Sequence, residues 1–224
     1  SPIVVDISGG NVTPSSVTFN HSTANYVLQG SNGIAGSTSL IKSGSGTLTI
    51  NNANTFTGGI NLNAGEIIVG NAAALGASSS VVAFGASSNS FLSLNNTSVT
   101  LGGLTDDATA TVRNGGSSAN AVLTLGGAAT SIFAGALVDG AGSSLLGVTT
   151  AGTTTLVLTG ANTYTGGTTI GAGSTLQIGN NGTTGSIVGA VTANGVLTFN
   201  RTNSVIYPGT VTGTGSVVAA SGTL

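Results

Sequence analysis

The sequence lacks most of the side chains on which catalysis and strong electrostatic binding depend. It has no Cys, Met or Trp, and Lys, Arg, Asp and Glu together make up 4% of its 224 residues. Without Cys, a disulfide framework and a thiolate metal site are both excluded. Three Lys and Arg against five Asp and Glu cannot form the basic surface that binds nucleic acid or anionic lipid. We therefore expect no nucleic-acid partner.

Long hydrophobic runs are missing as well. No residue between Asp139 and Arg201 is charged, but Thr, Gly, Ser and Asn interrupt this stretch every two or three residues. A transmembrane helix needs roughly 18 consecutive apolar residues, so we expect no membrane-spanning segment. The N-terminal Ser1 and the absence of Met indicate a processed secreted chain or a piece of a longer protein.

Small polar residues dominate what is present. The chain has 38 Gly, 35 Thr, 28 Ser and 21 Asn, which is more than half of its length. These residues are poor helix formers. Disorder is the first alternative, since Gly-rich and Ser-rich chains also form flexible linkers. However, 39% of the residues are hydrophobic, mostly Val, Leu, Ile and Ala, so a core can form.

The apolar residues occur in short bursts that alternate with polar residues. Examples are 47–50, 122–125 and 196–199, each bounded by Gly, Asn or Ser. We count about twenty such bursts, and this period of two is typical of half-buried strands. So many short strands exceed one immunoglobulin-type sandwich. A propeller, a pair of sandwiches and a solenoid remain possible.

An internal repeat favours the solenoid. Residues 47–65 and 155–173 are similar, and within them 53–59 and 161–167 differ only in one Phe/Tyr exchange. In a parallel β-helix, alternate side chains enter a narrow core, Gly and Asn form the corners, and Thr suits the outer faces. With roughly 20–25 residues per turn, the chain would form about ten turns. We predict an all-β, parallel β-helix over 1–224 as one domain.

Eight residues define the structural motif of this repeat. The two Asn of the motif could bond to the backbone or form a ladder between turns. The motif residues are Asn54, Phe56, Gly58 and Gly59 in the first copy and Asn162, Tyr164, Gly166 and Gly167 in the second.

These residues resemble a known family. The stretches GTLTINNANTFTGGINLNAG at 46–65 and TTTLVLTGANTYTGGTTIGAGSTLQIGN at 153–180 are similar to the autotransporter-associated β-strand repeat. The run from Lys42 to Leu48 resembles the lead-in K-x-G-x-G-T-L of that repeat, with Thr150 in place of the Lys in the second copy. The repeat units lie near 39–71 and 147–180. The resemblance implies a right-handed parallel β-helix of passenger type outside the bacterial cell, without shared catalytic residues.

Candidate catalytic groups are few. His21 is the only His, and Asp106-Asp107 is the only adjacent acidic pair, with Arg113 shortly after it. Carbohydrate-cleaving enzymes use pairs of carboxylates at a fixed separation, but neighbours in a strand point to opposite faces. We expect His21 in an exposed loop, and the acidic pair in a solvated loop with a salt bridge. We predict no catalytic residue, no metal site and no cofactor.

Thr-rich stretches suggest another function. Thr153–Thr155 and Thr168-Thr169 could belong to a surface that orders water or binds ice, if Thr recurred at the same place on every turn. Because the sequence shows no strict Thr-x-Thr period, we keep ice or surface binding only as an alternative.

Both ends of the chain resemble strands within a repeat. Residues 221–224 repeat the sequence of 45–48, and 3–5 are apolar. An open last turn leaves backbone groups unpaired. The chain is therefore either part of a longer array or a subunit that stacks head to tail. The possible end-to-end contacts are Ile3, Val4, Val5, Gly222, Thr223 and Leu224.

These observations lead to one functional expectation and two alternatives. We expect a non-enzymatic, extracellular bacterial solenoid that serves surface display, adhesion or self-association, including head-to-tail stacking into filaments. The alternatives are a carbohydrate-active β-helix enzyme and an ice-binding or surface-binding solenoid. The expected partner is a second copy of the chain, and the sequence identifies no host ligand.

Overall fold

A computed structural model describes residues 1–86, 89–105 and 109–222. These residues contain 23 strands and no helix. The strands pair in parallel and stack as a β-solenoid of about ten turns. The predicted parallel solenoid is thus confirmed, while its right-handed sense stays a prediction.

The strands are short, as the sequence bursts indicated. In chain order they are β1 (Ile3–Asp6), β2 (Ser16–Asn20), β3 (Tyr26–Gln29), β4 (Ser39–Ser43), β5 (Thr47–Ile50), β6 (Ile60–Leu62), β7 (Glu66–Val69), β8 (Val81–Phe84), β9 (Phe91–Ser93), β10 (Val99–Leu101), β11 (Gly103–Thr105), β12 (Thr111–Arg113), β13 (Ala121–Leu125), β14 (Thr130–Phe133), β15 (Ala136–Val138), β16 (Leu146–Thr150), β17 (Thr155–Leu158), β18 (Thr168–Ile170), β19 (Thr175–Gly182), β20 (Val191–Ala193), β21 (Val196–Arg201), β22 (Val211–Thr212) and β23 (Ser216–Ser221).

Four sheets form the sides of the solenoid. Sheet 1 has the order β1-β3-β5-β7-β9-β12-β15, and sheet 2 has the order β2-β4-β6-β8-β11. Sheet 3 has the order β10-β13-β16-β18-β20-β22, and sheet 4 has the order β14-β17-β19-β21-β23. The backbone N–H of Leu104 in β11 donates to Oγ of Ser131 in β14. Sheet 4 therefore continues the side on which sheet 2 ends.

The turns differ in length. Leu48 pairs with Ile67, whereas Val112 pairs with Leu137, so the second of these turns uses more of the chain than the first. Insertions at the corners absorb the difference, because the strands themselves stay in register. This variation explains why the sequence repeats do not recur at a constant spacing.

The core is one continuous column along the inside of the sheets. In β5 the inward Leu48 and Ile50 are fully buried, while Thr47 and Thr49 face outward. Leu92 and Val112 continue the column of Leu48 in later turns. Alternation at a period of two places every second residue inside.

Corners use the residues that tolerate a left-handed backbone. Among the described residues, every non-Gly residue recorded with a positive φ is Asn, as at Asn95, Asn96 and Asn181. Asn and Gly adopt this region at the least steric cost. Within this described part of the chain, no helix has the length and apolarity needed to cross a membrane.

Candidate functional site

Each of the two motif Asn side chains bonds to the turn before its own and to the turn after it. Asn54 is buried, its Oδ1 accepts from the backbone N–H of Ile34 at 2.8 Å, and its Nδ2 donates to the carbonyl of Ala74 at 2.8 Å. Asn162 does the same between Leu137 and Ser186, at 2.9 Å on each side. Both side chains bond to backbone of the adjacent turns, so they do not form an Asn–Asn ladder with each other.

The motif glycines leave room for the neighbouring turn. A Cβ on Gly58 would press against the carbonyl oxygen of Ser37, and one on Gly166 against that of Leu146. Gly59 and Gly167 have φ values of +76° and +87°, which side chains rarely adopt. Each Gly-Gly pair therefore combines one close approach with one left-handed corner.

The Phe/Tyr exchange within the motif is matched by a second exchange. Phe56 and Ile60 are both buried in the first copy. In the second copy the equivalent Tyr164 and Thr168 are also buried, and their hydroxyl oxygens lie 2.6 Å apart. Burial raises the pKa of the Tyr164 hydroxyl well above its ordinary value, while the bond to Thr168 partly offsets this. The polar pair replaces an apolar pair without leaving a hydroxyl unsatisfied.

Lys42 is a fully buried cation within the lead-in to the first copy. Its Nζ donates to the carbonyls of Ser43 at 3.0 Å, Gly44 at 2.7 Å and Ala64 at 3.2 Å. Burial lowers the pKa of the Lys42 amine to about 8. All three donors of the ammonium thus meet carbonyls, two of them in the same turn and that of Ala64 in the next turn, which is a structural role. The lysine followed by two spaced glycines is the sequence signal that could have revealed this buried amine.

The second copy replaces the lysine with a hydroxyl pair. Thr150 stands at the position of Lys42, and its Oγ1 lies 2.7 Å from Oγ of Ser174. Both residues are buried. The register pairs Thr155 with Thr175, as it pairs Thr47 with Glu66, so Ser174 is the extra residue of the second copy. The inserted Ser occupies the corner that the lysine fills in the first copy.

The described ion pair lies on the outer face of sheet 1. Arg113 donates to Glu66 and to Ser93, each at 2.8 Å, and its guanidinium lies 4.6 Å from the ring centre of Phe91. Ser93 also donates to Glu66. The cluster links β7, β9 and β12.

The solvated acidic loop with its salt bridge stays a prediction. Asp106 and Asp107 lie outside the described residues. Arg113 pairs with Glu66, two turns away along sheet 1. Sequence reasoning missed this partner because only the register of the strands brings the two side chains together.

His21 differs from the expected exposed loop residue. It is half-buried, its ring lies 4.6 Å from that of Tyr26 and 6.4 Å from that of Phe19, and its Nε2 lies 3.2 Å from the Thr47 carbonyl. Burial lowers the pKa of His21. The charge of Lys42 lowers it further, while the contact with Thr47 raises it. Packing among aromatic rings favours a structural role.

A column of threonines runs along the outside of sheet 3. Six threonines pair in register from turn to turn, although the turns between them differ in length: Thr100, Thr124, Thr149, Thr169, Thr192 and Thr212. All six are exposed or half-exposed. A shallow groove of about 240 Å³, lined in part by Gly147, Gly167 and Ala190, lies beside the column. The unequal turn lengths hid this column from a search for a fixed Thr period.

The predicted end contacts are largely uncovered. Ile3 and Val4 are 46% and 52% exposed, and Val5 is half-buried. Gly222 has a φ of +72° and follows the exposed strand β23. Thr223 and Leu224 lie outside the described residues.

Comparison with known proteins assigns the repeat. A family model for the passenger-associated-transport repeat matches residues 40–69 and 148–178. The chain carries two passenger-associated-transport repeats. The resemblance noted in the sequence is confirmed for these segments. No solved structure matches the chain.

One relative aligns with most of the chain. Over 215 residues the chain is 36% identical to the adhesin BmaC autotransporter of Brucella suis biovar 1 (strain 1330). The match covers 87% of this chain but 5% of that protein. The chain therefore spans about one twentieth of the length of this relative.

Equivalent strands of the two passenger-associated-transport repeats lie on different sides of the solenoid. In the first repeat, β5 and β7 belong to sheet 1 and β6 to sheet 2. The equivalent strands of the second repeat, β17 and β19, belong to sheet 4, and β18 belongs to sheet 3. The two repeats are therefore not separated by a whole number of turns. Equivalent outward residues of the two repeats point in different directions.

The described side chains offer few groups for chemistry. Within residues 1–86, 89–105 and 109–222, no three His, Cys, Asp or Glu side chains are grouped so that they could hold a metal ion. Lys42 and His21 are enclosed by packing, and Arg113 is held by Glu66 and Ser93. These contacts give the three side chains a structural role, which is to hold neighbouring turns together.

Proposed function

We propose that this chain is a non-enzymatic structural segment of a bacterial surface adhesin, displayed outside the cell as a passenger. The observation that carries the proposal is the match to an adhesin autotransporter over most of the chain, together with two passenger-associated-transport repeats. The buried motif side chains support it, because they bond to neighbouring turns and not to solvent.

Surface display of the chain tests this proposal. The chain would be fused to the translocating domain of an unrelated autotransporter and expressed in a non-adherent bacterium. We expect a protease-accessible chain at the cell surface and increased attachment of these bacteria to epithelial cells. Bacteria with the translocating domain alone are the control. A displayed, folded chain that leaves attachment at the control level would contradict the adhesin role.

Self-association is part of the same proposal. Outer faces with almost no charge repel one another little. Chains displayed on two neighbouring bacteria would then bind each other. The bacteria would attach to one another as well as to a host. Clumping of the displaying bacteria, compared with bacteria that carry the translocating domain alone, would measure this effect.

The threonine column favours a second candidate function, binding to ice or another ordered surface. Adjacent parallel strands lie about 4.8 Å apart, so the column offers hydroxyl and methyl groups at a regular spacing. Thermal hysteresis of the purified chain tests this candidate. The double change Thr149→Lys and Thr169→Lys should abolish the hysteresis, whereas Thr49→Lys on sheet 1 should not. A wild-type chain without hysteresis would remove this candidate.

A further inference from the structure

A cavity on the side of the solenoid contains the guanidinium of Arg201, and we infer that this cavity binds the carboxylate of an acidic sugar. The choice of a sugar rests on the proposed adhesin role, which it deepens by naming the class of ligand on the host cell. The position and the hydrogen bonds of Arg201 carry the rest.

The cavity lies at the corner that follows the strands of sheet 4. Residues after β14, β17 and β19 line it together with the last residue of β21, so four successive turns contribute. Its volume of about 490 Å³ falls within the roughly 300–1,000 Å³ of small-molecule sites. Arg201 is the one charged side chain among the described residues of its walls, which include Thr159, Ala161, Thr183, Thr184, Ser186 and Arg201.

An insertion in the second repeat builds one wall of this cavity. The carbonyls of Ala74 and Ser186 hold equivalent positions, since each accepts from Nδ2 of a motif Asn. Three residues separate Gly70 from Ala74, whereas six separate Gly179 from Ser186. The register between β19 and β21 shifts within this stretch. The second repeat therefore has a longer corner loop than the first.

Arg201 reaches from the following turn to this loop and is held there. Its Nη1 donates to the carbonyl of Gly185 at 2.7 Å, its Nη2 donates to that of Thr183, and its Nε donates to Oδ1 of Asn203 at 3.1 Å. A guanidinium has five N–H donors, so one donor on each terminal nitrogen remains. Within the described part of the chain, no carboxylate pairs with Arg201. Its orientation is thus fixed before a ligand binds, which lowers the entropy cost of binding.

The cavity lies between turns that the structure describes. Ser221 in the turn after Arg201 pairs with Asn200, and its Oγ donates to Oδ1 of Asn200 and to the Arg201 carbonyl. The guanidinium bonds in the opposite direction, to the loop of the turn before. The site is therefore formed by the side of the solenoid.

The chemistry of the walls matches a small acid that also carries hydroxyl groups. A guanidinium binds carboxylates through short, charge-assisted hydrogen bonds. Thr159, Thr184 and Ser186 line the cavity with Arg201, and a hydroxyl can both donate and accept. A ligand with one carboxylate and several hydroxyls, as in sialic and uronic acids, can use both kinds of group.

An acidic protein segment fits this site less well than a sugar. Such a segment presents several carboxylates and needs several cations close together. Lys42 is buried and Arg113 is paired with Glu66, so among the described cations Arg201 alone can meet an anion in this cavity. One cation in a cavity of this size favours a single acidic sugar ring.

Binding of acidic sugars to the whole purified chain tests the inference. The probes are N-acetylneuraminic acid and glucuronic acid, which represent sialylated and uronate-containing glycans, and their methyl esters are the neutral controls. Saturation-transfer NMR detects binding, and titration gives the dissociation constant. Arg201→Gln removes the cation from the cavity, whereas Arg113→Gln removes the same charge from sheet 1.

Circular dichroism checks the fold of each variant. Where Arg201→Gln unfolds, Ala161→Glu replaces it, because Ala161 is an exposed residue of the cavity wall. This change keeps the bonds of Arg201 and adds a carboxylate that competes with the ligand.

We expect the wild type and Arg113→Gln to bind at least one of the two acids and to bind its ester much more weakly. Arg201→Gln and Ala161→Glu should each weaken binding of that acid by at least about tenfold. The acid that binds identifies the source of the carboxylate. Binding of neither acid, equal binding of an acid and its ester, or unchanged binding by folded Arg201→Gln would overturn the inference. Binding of hexaglutamate but of neither sugar would also overturn it.

Failure of the inference and failure of the proposed function give different results. If bacteria that display the wild type or Arg201→Gln attach equally to epithelial cells, and the purified chain binds neither acid, the sugar site is wrong and the adhesin role stands. If the purified chain binds an acid through Arg201 but displayed bacteria do not attach, the sugar site stands and the adhesin role is wrong.

Discussion

Polar residues inside this solenoid join one turn to the next. Asn54, Asn162 and Lys42 are buried, and each bonds to backbone of adjacent turns. Buried polar groups are tolerated when every donor and acceptor has a partner. These three buried polar residues are therefore part of the scaffold.

The Tyr164–Thr168 hydroxyl pair should behave as a coupled unit. Thr168→Val leaves the buried Tyr164 hydroxyl unpaired and should lower the free energy of unfolding by about 1–3 kcal/mol. Tyr164→Phe should cost less, and the double variant should cost less than the sum of the two, because Phe56 and Ile60 show that an apolar pair fits the site. Denaturant unfolding of the four proteins measures the coupling. Additive effects would contradict it.

The buried amine of Lys42 predicts a dependence of stability on pH. Its pKa is about 8 in the folded chain against an ordinary value of about 10.5. Between these values the unfolded chain binds more protons, so the free energy of unfolding should rise with pH, by at most about 3 kcal/mol. Lys42→Met removes the group and should remove this rise. Denaturant unfolding of both proteins from pH 7 to pH 11 provides the comparison, and parallel curves would exclude the shifted amine.

The roles of some individual residues could be predicted from the sequence. The internal repeat singled out the Asn and Gly-Gly positions, because their chemistry suits corners and turn-to-turn bonds. It did not reveal that Thr150 needs the inserted Ser174, or that Tyr164 needs Thr168. Those pairs become neighbours only through the path of the backbone between strands.

At the scale of elements, register decides which residues meet. The Arg113–Glu66 pair joins β12 to β7 across β9, and the six threonines of sheet 3 align only when turns of unequal length are stacked. The sequence predicted short parallel strands and corners. It could not predict these alignments, since corner insertions change the number of residues per turn.

Loss of one turn-to-turn tie should destabilise the strands around it. Asn54→Ala leaves the buried N–H of Ile34 and the carbonyl of Ala74 without this partner, so it should lower the free energy of unfolding by about 2–3 kcal/mol. Asn61→Ala, at an exposed position of β6, is the matched control and should change it by less than about 0.5 kcal/mol. Equal effects in urea unfolding would show that the buried bonds of Asn54 contribute little.

At the scale of the whole molecule, the solenoid presents different surfaces on different sides. One side carries the Glu66–Arg113 cluster, and another carries the threonine column. Equivalent outward residues of the two repeats point in different directions. The repeat therefore maintains the rod and does not build one recurring ligand site. Composition and the repeat were sufficient to predict this architecture, because a solenoid repeats one local solution in every turn.

Binding of the purified chain to epithelial cells tests most directly whether the folded solenoid is itself an adhesive, non-enzymatic unit. Fluorescently labelled wild-type chain should bind saturably and be recovered unchanged, with the cell-surface glycans intact. The double variant Asn54→Ala and Asn162→Ala, tested at a temperature at which circular dichroism shows it unfolded and the wild type folded, should not bind. Binding of the folded chain at the level of serum albumin, or cleavage of surface glycans by it, would contradict the account.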